Sequence, residues 1–251
     1  MPKKRSLAHL SYEERRERER AEWKKRLARI EKARIKAAGS ASDPFLRERA
    51  SAYFKEKYPE CRIVHEVNLA GQGSTSRIDM IVVLPDRLIG VEVKGDKDVP
   101  DRLLKQLLSF SAVCDELWVF YGYKMKSKLP RLPHWVGQAC QVPNAGPHDI
   151  EEDYGEFKPE RILEAKSSGF SPSVMIELLW AQELNAVPGC AARNQQLRIE
   201  AALKRWEGDA IIPWVCAALA SRVTSIQTDP PLDIEIKSID GEWVPVWPEV
   251  K

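Results

Sequence analysis

Little in this chain marks a secreted, zinc-binding or membrane-embedded protein. Its five cysteines, Cys61, Cys114, Cys140, Cys190 and Cys216, are odd in number and scattered, without a Cys-x-x-Cys pair. The four histidines form no ligand spacing with them. A disulfide framework and a structural zinc site are therefore not expected, and a reduced, cytoplasmic setting is. No apolar run approaches the ~20 residues of a membrane span, so no membrane association is expected. The basic N-terminus runs into further charge rather than an apolar stretch, which argues against a secretory signal. Internal repeats are lacking as well. A net charge of +2 does not advertise nucleic-acid binding by the chain as a whole.

What charge there is lies unevenly. Residues 1–36 carry 14 Lys/Arg against 6 Glu, so the remainder is net acidic. From Ser11 to about Ala38 the chain is strongly helix-forming, and Ser11-x-x-Glu14 fits a capping box. Trp23, Leu27, Ile30 and Ala37 form only a thin apolar stripe. A solvated helix outside the folded core is expected there, with a DNA-tracking arm or an oligomerisation helix as the alternatives. Gly39-Ser-Ala-Ser42 reads as a linker. With 251 residues, 43% apolar and 30% charged, there is enough chain for one large domain or a core with appendages.

The chain is organised around Arg77 to Lys94, RIDMIVVLPDRLIGVEVK. Ile78–Leu84 and Leu88–Val93 read as two buried strands joined at Pro85-Asp86. With a two-residue loop Leu84 faces Arg87. Counting outward, Asp79 then faces Glu92, with Cβ atoms about 4.5–5.5 Å apart. Lys94 shares the Glu92 face and lies opposite Arg77. Two carboxylates this close need a positive charge between them. A divalent cation with oxygen ligands suits them, Mg²⁺ above all where a substrate brings phosphate. Lys94 beside it could orient or deprotonate a water, or stabilise charge developing on a phosphate. The competing reading is a structural charge triad satisfied by Arg77 and water.

Asp43-Pro44 opens a helix to about Lys57, offering Phe45, Leu46, Ala50, Tyr53 and Phe54 to a core and carrying Glu48 and Glu56. Cys61–Leu69 reads as a strand with Glu66 as an acid in an apolar alternation. Gly71–Ser76 reads as a flexible loop able to close over substrate. After Lys94, Asp98, Arg102 and Gln106 recur on one polar face, while Leu103, Leu104, Leu107, Leu108 and Phe110 face the sheet. Arg102 and Gln106 could hydrogen-bond to phosphate or water. Leu117–Tyr121 follows as a strand parallel to the one carrying Glu92, because a βα crossover joins them. Trp135–Val142 can supply another strand, and Pro143–Pro159 reads as loop. Helices are expected over Pro172–Ala186, Asn194–Trp206 and Ala210–Thr224. Arg193, Arg198, Lys204 and Arg205 make the second of these basic. Leu232–Trp247 alternates around Asp240-Gly241, a type I′ hairpin signal, with Trp243 and Trp247 packing there.

Asp79, about a dozen residues, then Glu92-Val93-Lys94 resembles the PD-(D/E)XK, or restriction-endonuclease-like, nuclease signature, with Ile78 in place of the proline. Asp96-x-Asp98-x-x-x-Arg102-Leu-x-x-Gln106, Pro133-x-Trp135-x-Gly137 and Leu178-Leu-Trp180-x-x-Glu183-Leu184 extend the likeness. Together they look like a bacterial and phage group with this core and a helical C-terminal part, labelled DNA-repair-like. The resemblance covers about residues 43–206.

It implies an α/β fold: a restriction-endonuclease-like core of order αβββαβ, with a central mixed sheet flanked by helices, and a helical C-terminal part; the terminal β-hairpin, outside the resemblance, is read from the residues alone. The segments would be 1–42 (basic extension and linker), 43–143 (nuclease core) and 144–251 (helical region with hairpin). The implied activity is Mg²⁺-dependent hydrolysis of DNA phosphodiester bonds, Mn²⁺ substituting, in repair, recombination or phage DNA processing. Asp79, Glu92, Lys94 and Gln106 would be catalytic. Asp79, Glu92, the Val93 carbonyl and Glu66, with Glu48 as an alternative, would hold the metal. Arg77 and Arg102 would contact substrate. DNA is the implied partner, a homodimer one arrangement, and a bacterial or phage-infected cytoplasm the setting. The alternatives are a catalytically inactive nuclease-fold protein binding DNA or a partner, and a structural phage or chromosome-associated protein.

Overall fold

A computed structural model describes residues 41–71, 74–141, 157–161, 171–186, 194–223 and 229–248, with seven positions between 17 and 29. At those seven positions, Glu17, Arg18, Ala21, Lys24, Lys25, Ala28 and Arg29, the chain is helical and exposed. The Ser11–Glu14 capping box, the Trp23-to-Ala37 stripe and Arg193 lie outside the described residues.

In the second unit, Ser40–Gln141 with Phe157–Lys251, a mixed six-stranded sheet lies between two layers of helices. Helix α1 (Asp43–Lys57) opens with Pro44 in its first turn, where a missing N–H costs nothing. Strands β1 (Arg62–Gly71), β2 (Ser74–Val83) and β3 (Leu88–Lys94) form an antiparallel meander. Helix α2 (Leu103–Phe110) crosses over to β4 (Glu116–Tyr121), which runs parallel to β3. β5 (Gly137–Gln141) adds in parallel and β6 (Phe157–Arg161) antiparallel. Helices α3 (Pro172–Ile176), α4 (Ala181–Ala186), α5 (Gln195–Arg205) and α6 (Ile212–Ala220) follow. A separate hairpin, β7 (Glu235–Ile239) with β8 (Glu242–Val246), ends the described chain. Asp240 and Gly241 both have positive φ, as a type I′ turn demands.

Both faces of β3 are covered, so its side chains are buried almost throughout. On one face, Leu46, Ala50 and Phe54 of α1 meet Met80, Val82, Ile89, Val91, Trp118 and Phe120. On the other, Leu103, Leu107 and Phe110 of α2 join Met175, Ile199, Trp214, Val215 and Leu219 of the later helices against Ile81, Val83, Leu88 and Val119. The C-terminal helices thus complete the core of the sheet. Gly90 is required by this packing: a Cβ there would lie 2.6 Å from Leu117 Cδ2 and 2.9 Å from Cys114 Sγ.

Two buried ionic devices tie the C-terminal helices together and to the sheet. Arg62, wholly buried in β1, donates to the Leu219, Ala220 and Arg222 carbonyls at the end of α6. It satisfies acceptors that a helix C-terminus leaves open. Arg222 forms a two-pronged pair with Glu183, Nε–Oε1 and Nη2–Oε2 both at 2.6 Å, with its guanidinium 4.4 Å over the Trp180 ring.

Several sequence expectations are corrected. Leu104 and Leu108 are 39% and 64% exposed and do not face the sheet. A single turn-spaced stripe, Leu103, Leu107 and Phe110, fills the contact of this eight-residue helix. Asp98 lies before the helix and accepts the Gly95 N–H at 2.7 Å. The stretch expected to be a Gly71–Ser76 loop is strand up to Gly71 and again from Ser74. β6 takes in residues expected to be loop. The 172–186 helix is two, α4 restarting at Ala181 because Glu183 reaches back to the Trp180 N–H at 2.6 Å in a capping-box contact. Trp243 is 46% exposed rather than packed. Among the described residues, no helix is long and apolar enough to cross a membrane.

Candidate functional site

The β2–β3 hairpin has the register its turn implies. Val83 pairs with Leu88, Val82 with Ile89, Ile81 with Gly90 and Met80 with Val91, and the Leu84 N–H donates to the Arg87 carbonyl at 3.1 Å. The ladder then stops one pair short of Asp79 and Glu92. In its place the Asp79 carboxylate enters the hydrogen-bonding plane, Oδ2 accepting the Val93 N–H at 2.9 Å. A side chain has taken the position of a strand, so β2 and β3 part where the charges gather.

A matching irregularity lies on the other side of β2. The β1–β2 ladder runs from His65–Met80 to Val67–Ile78 and skips Glu66 and Asp79. Glu66 has φ +55°, a left-handed conformation costing a non-glycine residue about 1–3 kcal/mol. Both strands change parity there. Val64 and Ile81 pack in the α2-side core, and so do Val67 and Ile78, across odd rather than even spacings. This paired break turns Asp79 out of the regular alternation.

Glu92 is the most deeply buried acid of the group, 1% exposed. Burial and the nearby Asp79 charge push its pKa up to about 7, against the pull of Lys94. Lys94 Nζ lies 2.5 Å from Glu92 Oε1. Gln106 approaches the same carboxylate from α2 and favours its charged form. Oε2 is nevertheless buried without a hydrogen-bond partner among the described residues. Burial likewise raises the Asp79 pKa, opposed by the Val93 N–H, Arg47 and Lys94.

Arg47 of α1 is the residue that sequence reading missed. Its Nη2 donates to Asp79 Oδ1 and its Nη1 to the Asp79 carbonyl, both at 2.9 Å. Its Nε lies 2.6 Å from Asp43 Oδ1. The Asp43–Arg47 spacing of four on a helix was a visible signal for that ion pair. Its contact with Asp79 left no local trace.

The other proposed residues are more peripheral. Glu66 pairs with Arg77 at 3.0 Å and lies 3.9 Å from Arg47. Arg77, 53% exposed in its side chain, is thereby held toward β1, although Lys94 was expected opposite it. Arg102 precedes α2 and is exposed. Glu48 is exposed on the wall of an open cleft of about 490 Å³ that Asp43, Pro44, Arg47, Ser51, His65 and Glu66 also line. Burial and the Arg47 charge lower the His65 pKa, which favours the neutral ring. Asp96 has a structural part: its Oδ2 accepts the Ala41 N–H at 3.0 Å and its Oδ1 the Lys124 N–H at 3.1 Å. Among the described residues, no three His, Cys, Asp or Glu side chains form a group that could hold a metal ion. No family model, curated protein or solved structure matches this chain.

Proposed function

We propose that this chain is a metal-dependent deoxyribonuclease with a restriction-endonuclease-like core, hydrolysing DNA phosphodiester bonds. The observation that carries the reading is the convergence of Asp79, Glu92 and Lys94 where β2 and β3 part, with a buried Glu92 oxygen that has no partner among the described residues. Burying two acids and a lysine together costs stability that pairing only partly offsets, which makes such a cluster a candidate functional site.

The donor chemistry fits Mg²⁺, with Mn²⁺ as substitute. Mg²⁺ takes one or two carboxylates, keeps several waters and completes its shell with substrate phosphate, so a third acid is not required. Asp79 and Glu92 would hold it, with the Val93 carbonyl. Glu66 is engaged by Arg77 and would act through water at most. When bound, the metal would supply charge neutralisation at the scissile phosphate and a more acidic water. Lys94 would position the attacking water and share the phosphate charge. Gln106 would orient water or substrate from α2, and Arg102 would meet the DNA backbone. Cytoplasmic DNA repair, recombination or phage DNA processing is the setting this activity would serve, with a homodimer as one arrangement.

A second reading, a nuclease-fold protein that binds DNA or a partner without cutting it, is favoured by one observation: Arg47 already neutralises Asp79. Cleavage assays on plasmid, single-stranded and branched DNA, with Mg²⁺, Mn²⁺ or chelator, decide between the two. Metal-dependent cleavage that Asp79→Ala abolishes supports the enzyme. Binding without cleavage, unchanged by Asp79→Ala, supports the second reading.

A further inference from the structure

The two acids at the parting of β2 and β3 are each matched to a cation of the chain itself. Lys94 takes Glu92 from the same strand. Arg47 takes Asp79 from across the α1–sheet contact, through both its side chain and its carbonyl. Neighbouring buried carboxylates cannot both stay ionised without such compensation. Arg47 therefore does at Asp79 what a divalent cation would do there.

Arg47 also has another partner to keep. Its Nε and Nη2 fork onto Asp43 one turn earlier on α1, at 2.6 and 3.4 Å. Losing Asp79 would leave that pair intact. The open cleft beside it gives the guanidinium space, and Glu66, already 3.9 Å away on the cleft wall, offers a second carboxylate. A swing onto substrate phosphate is disfavoured, because the carboxylates of Asp43, Glu48 and Glu66 line that cleft.

We infer that Arg47 is a displaceable internal counter-ion that occupies the cation position at Asp79 and competes with a divalent metal for it. This rests on the metal-site reading above. It makes Arg47 a positioning residue that sets the metal concentration at which the site fills. Metal binding moves the guanidinium back onto Asp43 and Glu66.

The test is calorimetric titration of the full-length chain with Mn²⁺ and Mg²⁺, beside thermal melts in chelator. Arg47→Gln is expected to bind Mn²⁺ on the order of tenfold tighter than wild type, the loss of one charge-assisted competitor. It should melt lower than wild type in chelator and recover most of that difference with saturating metal. A purely structural arginine would give the lower melt without the tighter binding. Arg47→Lys keeps the charge but cannot fork to both acids, so its metal affinity should fall between the two. If Arg47→Gln does not fold, Arg47→Lys carries the test, and an affinity no tighter than wild type overturns the inference. Equal or weaker binding by a folded Arg47→Gln overturns it as well. Asp79→Asn separates the two levels. Wild-type binding that Asp79→Asn abolishes keeps the metal site even where the Arg47 inference has failed. Binding by neither wild type nor Arg47→Gln overturns the inference together with the metal site itself.

Discussion

Replacing Glu92 with Gln removes one ionisation and almost no volume. The Glu92 pKa is 4.5 as a free side chain and about 7 in the fold. Between those values the folded chain binds more protons than the unfolded chain. The group therefore favours folding at low pH, and that contribution is lost as pH rises through about 7. The shift corresponds to roughly 3 kcal/mol at most. Glutamine cannot ionise, yet its amide oxygen can still accept from Lys94. The stability of Glu92→Gln relative to wild type should thus rise across the pH 4.5–7 window. At about 2–4 °C per kcal/mol for a chain of this size, the Tm difference should move by roughly 6–12 °C in favour of the variant. Differential scanning calorimetry in chelator, from pH 4.5 to 8, measures it. A Tm difference that stays flat with pH would mean that Glu92 ionises in the fold as readily as in water, against the raised pKa. Mg²⁺ at pH 8 should raise the wild-type Tm and leave the variant where it was, by linkage.

Asp79→Ala should lose both metal binding and cleavage, whereas Lys94→Ala should lose cleavage and keep most of its metal affinity, because Lys94 is not a ligand. Glu66→Ala and Gln106→Ala should be milder in the same paired calorimetry and cleavage assays. Glu183→Ala leaves Arg222, 5% exposed, without its partner and should destabilise the fold by about 3–5 kcal/mol in urea unfolding, with α4 the element affected first. Deleting residues 1–38 should leave the melting transition nearly unchanged, while DNA binding weakens with a flatter salt dependence if that basic helix is a DNA arm.

Local pattern decided much of this protein before any tertiary contact. Apolar runs of strand length around Pro85-Asp86 set the β2–β3 register, and with it the proximity of Asp79, Glu92 and Lys94. Asp240-Gly241 set the last hairpin because few residues other than these accept two positive φ values in succession. Asp43-Pro44 set the start of α1 to within one residue: Asp43 was expected as the N-cap, but the cap falls on Ser42 and Asp43 is the first helical residue. These are short-range constraints, and a sequence carries them openly. Tertiary structure alone decided the rest. The Leu104 and Leu108 faces depended on where α2 meets the sheet, and its five apolar residues allowed more than one stripe. The paired break at Glu66 and Asp79 needs two strands to deviate together, which neither announces by itself. Arg62 beneath the end of α6 and Arg222 against Glu183 are ion and hydrogen-bond partners far apart in the chain. So is Arg47 on Asp79, a contact that favours the charged form of that carboxylate against its burial. Charge pairing acts through space and leaves no periodicity along the chain, so only folding reveals which cation each buried acid has found.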